Sequence, residues 1–216
     1  GNHEMKGDWN FISFAQRFNM SGAKTGYPQF DRTMGYFEFG DAIFVILNGE
    51  VTPADKKPEI MKKELQWCKS VLDASDKKWR IVMTHAGPYT SNHDPLDVRD
   101  YYINDSEYSL DKMNVDLFLN GHDHIYIRST VKNDIKVNTG DGTTYITGGT
   151  VGNKFYEYMP ARSDYSTDFY VDEEDKQVFS VIEFSEDSIK GTAYQKQDPD
   201  DWNSFKAVDS YEIRNT

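Results

Sequence analysis

Residues 115–124 read VDLFLNGHDH, an apolar run that ends in a glycine and two histidines. Residues 79–88 repeat the pattern as WRIVMTHAGP, with one histidine directly after the apolar run. Short apolar runs bounded by turn residues are typical of buried β-strands. In an open α/β sheet, side chains that follow the carboxyl ends of strands face a common crevice. The two stretches therefore predict a sheet that brings His85 and His122 to one edge.

The histidine pair that follows the apolar run at 115–120 is a candidate metal site. Residues i and i+2 of an extended segment point to the same side, so His122 and His124 are expected to face one cavity. Their spacing also suits two metals about 3.5–4 Å apart, the separation in binuclear hydrolases. Asn2 and His3 lie in the sequence GNHE. Imidazole and amide ligands fit Zn, Mn or Fe better than Ca or Mg.

The periodicity of the remaining sequence predicts a single-domain α/β (α+β) protein with a β-rich carboxyl-terminal end. Apolar spacing predicts helices over 11–18, 58–72 and 106–113. Gly40-Asp41 separates the apolar runs 36–39 and 43–47, which predicts a β-hairpin. Further strands are predicted over 79–84, 115–120, 125–131, 143–147, 177–184 and 189–195, with a solvated charged turn at 172–176.

Composition excludes several classes of function. The 216 residues carry 36 acidic and 24 basic side chains, a formal charge of −12. This charge disfavours binding to a nucleic-acid duplex or an anionic membrane, although a local positive site can still bind phosphate. Cys68 is the only cysteine, which excludes an internal disulfide and a thiolate metal cluster. No apolar run approaches the roughly 20 residues that a membrane-spanning helix needs.

The order of the histidine motifs resembles that of a known family. GNHE, a strand ending in MTH, and NGHDH resemble the last three signature motifs of the calcineurin-like metallophosphoesterases. GHDHIYIRS at 121–129, followed by YITGG at 145–149, is similar to the purple-acid-phosphatase branch. The resemblance covers residues 1–153. It implies part of a two-sheet sandwich with flanking helices, and hydrolysis of small phosphate esters.

The same resemblance implies a set of metal ligands and a proton donor. It assigns Asn2, His85 and His122 to one metal and His124 to its neighbour. Two transition-metal ions, chosen from Fe, Zn and Mn, are the implied cofactors. His3 is expected to protonate the leaving group while an activated water attacks phosphorus.

Other residues near these motifs have two interpretations each. His93 lies where the purple acid phosphatases place substrate-contacting histidines, or is an ordinary loop residue. Glu4 either orients the preceding histidine or forms a surface ion pair. Tyr126 and Arg128 lie two and four residues after His124, so in an extended strand they face the same side as the histidine pair. One of them is therefore expected to line the pocket. Strand alternation alone can also give this placement. Asp123, between two inward residues, is expected to face away as a structural loop residue.

Two earlier motifs of the family are missing. D-x-H and G-D-x-x-[DN] supply the carboxylate that bridges the metals, but the sequence has no D-x-H and its three Gly-Asp dipeptides all follow GNHE. We therefore expect residues 1–216 to be the carboxyl-terminal portion of a single metallophosphoesterase domain, with 1–153 carrying the motifs and 154–216 completing the sandwich. The amino-terminal part of the same protein is the expected partner. Without it, self-association, weak binding of a single metal and little turnover are expected.

Competing functions stay open at this stage. The chain could be a degenerate phosphatase scaffold or a cell-surface binding module without catalysis. It could also be a nuclease or a cyclic-nucleotide phosphodiesterase on the same scaffold. Purple-acid-phosphatase-like proteins are commonly exported, so the resemblance implies a secreted protein in an extracellular or cell-envelope setting.

Overall fold

The computed structural model describes residues 1–5, 11–18, 20, 26, 28–50, 57–89, 91, 96–104, 107–159, 167–171 and 176–214. The helices are α1 Asn2–Met5, α2 Ile12–Arg17, α3 Pro28–Asp31, α4 Lys57–Ala74 and α5 Leu96–Tyr102. The strands are β1 Gly35–Phe39, β2 Ala42–Ile46, β3 Trp79–Met83, β4 Leu117–Asn120, β5 Tyr126–Lys132, β6 Ile135–Lys136, β7 Thr143–Gly148, β8 Thr167–Tyr170, β9 Val178–Phe184, β10 Ser188–Lys196 and β11 Phe205–Arg214.

The larger of two sheets contains eight strands and is mixed. Its order is β1-β2-β3-β4-β7-β5-β6, with β8 paired to β5. Strands β1 and β2 form the predicted antiparallel hairpin, and Gly40 in its turn has a φ of 56° that favours glycine. Strands β2, β3, β4 and β7 are parallel. Their carboxyl ends therefore meet at one edge, where His85 and His122 follow β3 and β4.

Helix α4 covers one face of the main sheet. Pro58 lies in its first turn, where proline is tolerated because the first N–H groups have no partner within the helix. The predicted apolar stripe of α4 is buried against the sheet, and this core includes Met61, Leu65, Cys68, Leu72, Val82 and Phe118. Full burial of an apolar side chain of this size contributes about 1.5–3 kcal/mol. The stripe therefore holds α4 on the sheet.

A three-stranded antiparallel sheet, β11-β10-β9, covers the opposite face. The core between the two sheets includes Ile81, Leu117, Ile146, Val178, Ile189 and Ile213. Ile81 faces this core while its neighbour Val82 faces the helices, as the alternation of side chains along a strand requires. The indole N–H of Trp79 also donates to the carbonyl oxygen of Ser185 at 2.8 Å. The predicted mixed α/β fold with two sheets and flanking helices is confirmed.

The helix predicted over 106–113 is wrong. The described residues 107–114 contain turns and no helix, and the helix in this region is α5, which ends at Tyr102. Leu110 and Met113 are buried, so their helix-like spacing reflects two core contacts made from turns. The Ser109 hydroxyl accepts from the backbone N–H of Lys112 at 3.4 Å. This is the bond of a helix N-cap, but the turn that it opens is closed at once by the N–H of Val115, which donates to the carbonyl oxygen of Leu110 at 3.2 Å.

The other predicted elements are confirmed with small changes at their ends. The helix predicted over 11–18 is α2, and the predicted strands of the carboxyl-terminal half correspond to β5, β7, β9 and β10. The short strand β8 and the long strand β11 were not predicted. In β11, buried and exposed residues do not alternate strictly, which weakens the period-two signal. Residues 172–175 of the predicted charged turn lie outside the described residues.

Strand β1 forms an edge of the main sheet. Its side chains Tyr36, Phe37 and Phe39 are exposed. An edge strand with exposed aromatic residues offers free backbone groups and apolar surface to another chain. This edge is where the predicted self-association would take place, and self-association stays a prediction.

Candidate metal centre

Backbone hydrogen bonds hold the segments after β3 and β4 side by side. The N–H of Thr84 donates to the carbonyl oxygen of Leu119 at 3.1 Å, and that of Gly121 donates to His85 at 2.9 Å. These bonds continue the parallel pairing past the last residues of the two strands. The segments that carry His85 and His122 are therefore fixed in register at the predicted edge.

Three ligand-type atoms converge at this edge. Nε2 of His85 lies 3.1 Å from Oδ1 of Asn2 and 2.9 Å from Nδ1 of His122. The two imidazole rings are 4.7 Å apart and nearly perpendicular, at 74°. Two ligands about 2.1 Å from one metal ion are about 3.0 Å apart at a right angle and about 3.4 Å apart at a tetrahedral angle. The three residues assigned to one metal thus lie at distances that suit ligands of a single ion.

Close packing surrounds His85. A Cβ atom on Gly1 would lie 2.7 Å from Nδ1 of His85, so a larger residue does not fit against the ring. Burial lowers the pKa of His85 to about 4, with further contributions from the Gly1 amino group and from His122. The imidazole is therefore neutral at physiological pH, and neutral imidazole is the form that binds metal ions.

The segment that carries the histidine pair is not an extended strand. The expectation that the alternation of side chains in a strand turns both rings to the same side is therefore wrong. His122 has φ 73° and His124 has φ 51°. Left-handed backbone costs a non-glycine residue about 1–3 kcal/mol and is found mainly where the surrounding structure enforces it. The ring of His122 faces His85, whereas Nδ1 of His124 lies 2.9 Å from the carbonyl oxygen of Lys154. The ring of His124 is 5.0 Å from that of Tyr156.

Buried polar side chains fix the loops around the histidines. Asp123 is fully buried, and its carboxylate accepts from the N–H of Ser91 at 2.7 Å, in agreement with a structural role. The amide of Asn120 donates to the hydroxyl of Thr147 at 3.0 Å. A Cβ atom on Gly87 would lie 2.4 Å from this amide, so only glycine permits the approach. These contacts make the edge rigid before any ligand binds.

The predicted proton donor and its neighbours lie around the cluster. His3 is exposed, and it is one of the groups whose positive charge lowers the pKa of His85. Glu4 is exposed and accepts from the Gly1 amino group at 2.5 Å, and its role stays a prediction. His93 lies outside the described residues.

Tyr126 and Arg128 are directed mainly to the interface between the sheets. The hydroxyl of Tyr126 donates to Asp209 at 2.9 Å, and Nε of Arg128 donates to the same carboxylate at 2.7 Å. Arg128 also pairs with Asp168 at 3.3 Å. Tyr126 borders a small cavity next to His124, but the strongest contacts of both side chains tie the main sheet to β11.

Sequence analysis missed a buried acid near the centre. Glu64 of α4 is fully buried, and its Oε1 accepts from the backbone N–H of Asn48. Burial raises the pKa of Glu64 to about 8, so the carboxyl group is largely protonated at pH 7. Within the described residues its Oε2 has no hydrogen-bond partner. Glu64 lies three residues after Met61 and four before Cys68, a position inside the apolar stripe that could have revealed its burial.

A cavity of about 230 Å³ opens beside His85. Its lining includes Gly1, Thr33, Asn48, Glu50, Thr84 and His85. The amide of Asn48 donates to the Thr33 hydroxyl at 2.8 Å, and the N–H of Glu50 donates to Asn48 at 3.0 Å, so the wall is held by hydrogen bonds. The cavity is smaller than the roughly 300–1,000 Å³ of drug-sized sites, and its size suits a small group such as a phosphate.

The donor set determines what this centre can hold. Among the described residues, no group of three or more His, Cys, Asp or Glu side chains is placed to bind a metal ion. The cluster instead combines two imidazoles with one amide. Such a set is neutral and fits a borderline ion such as Zn²⁺ or Mn²⁺, but it lacks a carboxylate that could bridge two cations.

Comparison with known proteins identifies the family. The family model for calcineurin-like phosphoesterases matches residues 1–126, more than half of the chain. The chain belongs to the calcineurin-like phosphoesterase family. It is also 29% identical over 167 residues to purple acid phosphatase 18 of Arabidopsis thaliana, a match that covers 71% of this chain and 35% of that protein. The chain therefore spans about a third of the length of this curated relative.

Solved structures share the fold of this calcineurin-like phosphoesterase. Purple acid phosphatase PPD1 from yellow lupin, Lupinus luteus, matches with a TM-score of 0.61 and 14% identity over 94% of this chain and 35% of that chain. GAP50, described as the anchor in the inner membrane complex of Plasmodium, matches with a TM-score of 0.60 and 16% identity over 85% of this chain and 53% of that chain. The resemblance to the family and to its purple-acid-phosphatase branch is confirmed. At the level of the family, the matches support phosphoester hydrolysis with divalent metal ions.

Proposed function

We propose that the intact protein is a binuclear, metal-dependent hydrolase of small phosphate esters, and that this chain supplies one set of neutral metal ligands. The observation that carries the proposal is that His85 Nε2 lies 3.1 Å from Asn2 Oδ1 and 2.9 Å from His122 Nδ1. These atoms come from three separate segments of the chain. The parallel strands and the close approach of Gly1 bring them together.

His124 is the proposed ligand of the neighbouring metal. Its Nδ1 lies 2.9 Å from the Lys154 carbonyl oxygen, so the proton belongs on Nδ1, which donates to that oxygen. Nε2 then presents its lone pair. Metal-binding histidines usually donate their other ring N–H to a carbonyl or a carboxylate in this way. The contact with Lys154 therefore supports a ligand role for His124.

The chemistry of the proposed reaction is divided between the metals and the chain. Bound metal ions would lower the pKa of a water molecule toward about 7 and neutralise charge on the phosphoryl oxygens. The cavity beside His85 would hold the phosphoryl group. His3, exposed next to the cluster, would donate a proton to the leaving-group oxygen, and His93 is proposed as a substrate contact.

This chain alone is expected to bind one metal weakly and to show little turnover. Its three converging donors are neutral, so nothing compensates the repulsion between two cations held close together. We propose that residues 1–216 form the carboxyl-terminal portion of one domain whose earlier part supplies the carboxylates. The substrate is proposed to be a small phosphate ester, and the location extracellular or in the cell envelope. Within the described residues, no helix is long and apolar enough to cross a membrane.

A non-catalytic scaffold is the alternative. GAP50 has a similar fold and is described as an anchor, and a shared fold does not by itself establish shared chemistry. The two proposals differ in what the histidine cluster does. Only the hydrolase proposal requires that Asn2, His85 and His122 bind a metal ion.

Metal binding by single-histidine variants tests the proposal. We expect the purified chain, dialysed against Zn²⁺ or Mn²⁺, to retain up to one equivalent, and His85→Ala or His122→Ala to lose it because each change removes one of three ligands. His3→Ala is the matched control, since it removes an exposed histidine outside the cluster and should retain the metal. Elemental analysis gives the occupancy, and circular dichroism verifies the fold of each variant.

Two results would contradict this picture. Retention of the metal in both cluster variants would place the ion elsewhere. Near-stoichiometric occupancy by two metals in this chain alone would show that the bridging carboxylate is not needed. In the intact protein, the same two variants should lose metal and phosphatase activity together, which the scaffold alternative does not predict.

A further inference from the structure

A second cavity lies between the loop after β7 and the smaller sheet. Its volume is about 370 Å³, and it is lined by Gly152, Asn153, Phe155, Lys176, Gln177, Lys196 and Pro199. This volume lies within the range of about 300–1,000 Å³ that is usual for small-molecule sites. The proposed metal ligands are not among its lining residues, so the cavity is distinct from the histidine cluster.

Hydrogen bonds hold the walls of this cavity in place. The side-chain amide of Gln177 donates to the carbonyl oxygens of Val151 at 2.9 Å and Gly152 at 3.2 Å. The N–H of Val178 donates to Thr150 at 2.8 Å, and the N–H of Lys196 donates to Gln177 at 2.9 Å. The loop is thus fastened to the beginning of β9 and the end of β10.

Lys196 gives the cavity its chemical character. The residue is only 7% exposed. Its ammonium group donates to the carbonyl oxygen of Pro199 at 2.9 Å and lies 4.3 Å from the ring of Trp202. An ammonium group has three N–H donors, and the described residues provide Lys196 with no carboxylate partner. Burying a cation without a counter-charge is unfavourable.

The acidic residues that follow Lys196 are engaged elsewhere. Asp198 accepts from the N–H of Asp200 at 2.9 Å, and Asp201 accepts from the N–H of Asn203 at 2.8 Å. These bonds stabilise the turn before β11, and among the described residues no direct ion pair joins a carboxylate to Lys196. A second lysine, Lys176, lines the same cavity. Two lysines therefore border the cavity, and the contacts of Lys196 with the described residues include no carboxylate.

We propose that this cavity binds a small organic anion. Its acidic group would accept hydrogen bonds from Lys196 and interact with Lys176, and its apolar or aromatic body would pack against Phe155 and Pro199. A bound anion supplies the counter-charge that Lys196 lacks. The site does not depend on metal binding and stands apart from the proposed phosphoesterase function.

Calorimetric titration with benzenesulfonate tests this site. The sulfonate is a permanent anion and a poor metal ligand, and benzenesulfonamide is a neutral molecule of nearly the same shape. We expect saturable 1:1 binding of the sulfonate and much weaker binding of the sulfonamide. Lys196→Met keeps an unbranched side chain but removes the ammonium group, and it should weaken sulfonate binding about tenfold or more, as expected when a hydrogen bond to a charged group is lost.

Matched variants separate a specific site from a general charge effect. Lys190→Met removes an equal charge from an exposed position on the same strand β10 and should leave the affinity unchanged. Lys176→Met should weaken binding as well, and it tests the site even if Lys196→Met fails to fold. His122→Ala should bind benzenesulfonate as the wild type does, so the outcome is independent of the metal centre.

Several outcomes would overturn the proposal. These are the absence of saturable binding, equal affinity for the sulfonamide, or an equal loss in Lys190→Met. Loss of binding in a folded His122→Ala would place the anion at the histidine cluster instead. Unchanged affinity in folded Lys196→Met and Lys176→Met would show that neither lysine forms the site.

Discussion

The left-handed backbone of His122 is the clearest residue-level difference between expectation and structure. The sequence predicts that His85 and His122 meet, because both follow buried parallel strands, and the structure places their ring nitrogens 2.9 Å apart. It cannot predict the φ of 73° at His122, since that conformation is enforced by surrounding contacts such as the burial of Asp123. Strained non-glycine residues cluster at functional sites, which agrees with the proposed role of His122.

His3 is the residue whose role depends most on substrate chemistry. In the intact protein we expect His3→Ala to retain its metal but to slow hydrolysis, because the loss of a general acid typically costs 10²–10⁴-fold, roughly, for a leaving group that needs protonation. An alkyl phosphate should show the large effect. 4-Nitrophenyl phosphate, whose leaving group is stable as an anion, should show a much smaller one. Steady-state kinetics with both substrates measure the difference, and equal slowing of the two would argue against His3 as the acid.

Helix α4 shows what a pattern can and cannot reveal about an element. Its apolar stripe predicts its position and its buried face, both of which the structure contains. Glu64 within the stripe reads as one more charged residue among many in this helix. Its spacing places it on the buried face, but only the packing of α4 against the segment at Asn48 shows that the carboxyl group is fully buried and accepts from a backbone N–H there. By contrast, residues 107–114 have helix-like spacing without forming a helix, because sequence spacing does not distinguish helices from successive buried turns.

The buried acid makes the stability of the protein depend on pH. Burial raises the pKa of Glu64 from 4.5 to about 8, so between these values the folded state binds more protons than the unfolded state. The contribution of Glu64 to the free energy of unfolding therefore falls as pH rises through this range, by up to about 1.4 kcal/mol per pH unit. Glu64→Gln keeps an acceptor for the N–H of Asn48 and does not titrate. We expect this variant to gain stability relative to the wild type between pH 5 and pH 8.

Urea unfolding at several pH values measures this gain. The difference between variant and wild type is the useful quantity, because Asp116, with a pKa raised to about 6, and His85, with a pKa lowered to about 4, titrate in both proteins. Glu59→Gln on the exposed face of the same helix is the control, and its difference from the wild type should stay constant. Parallel pH profiles for Glu64→Gln and wild type would show that Glu64 is ionised in the folded state.

For the whole molecule, the sequence predicts two sheets but not what joins them. The near-continuous apolar runs of β3 and β4 indicate that the main sheet is covered on both faces, and the two cores confirm this. In an extended strand, Arg128 would face the same side as the histidine pair, which predicts a position in the pocket. Its actual partners, Asp168 and Asp209, lie 40 and 81 residues away along the chain. Such long-range pairing has no signature in local periodicity, so it could not be predicted.

The Arg128 network is expected to make the two sheets unfold together. Arg128 and Asp209 are only 13% and 6% exposed, and removing one member of a buried ion pair typically costs about 3–5 kcal/mol because the remaining charge is left without a partner. Arg128→Met should therefore lower the free energy of unfolding by about 3 kcal/mol. Arg214→Met is the control, since Arg214 is 73% exposed in its ion pair with Glu212, and it should cost less than about 1 kcal/mol.

A double variant identifies the cause of the loss. Adding Asp209→Asn to Arg128→Met removes the uncompensated carboxylate and should restore part of the stability, with a coupling energy that shows direct interaction. Urea unfolding followed by circular dichroism and by tryptophan fluorescence should give one coincident transition for the wild type, as a single domain requires. Trp79, which bonds to Ser185 across the sheets, is one of the four tryptophans that contribute to the fluorescence signal. If Arg128→Met cost no more than Arg214→Met, or if the two signals changed separately in the wild type, the smaller sheet would be a unit that folds independently of the main sheet.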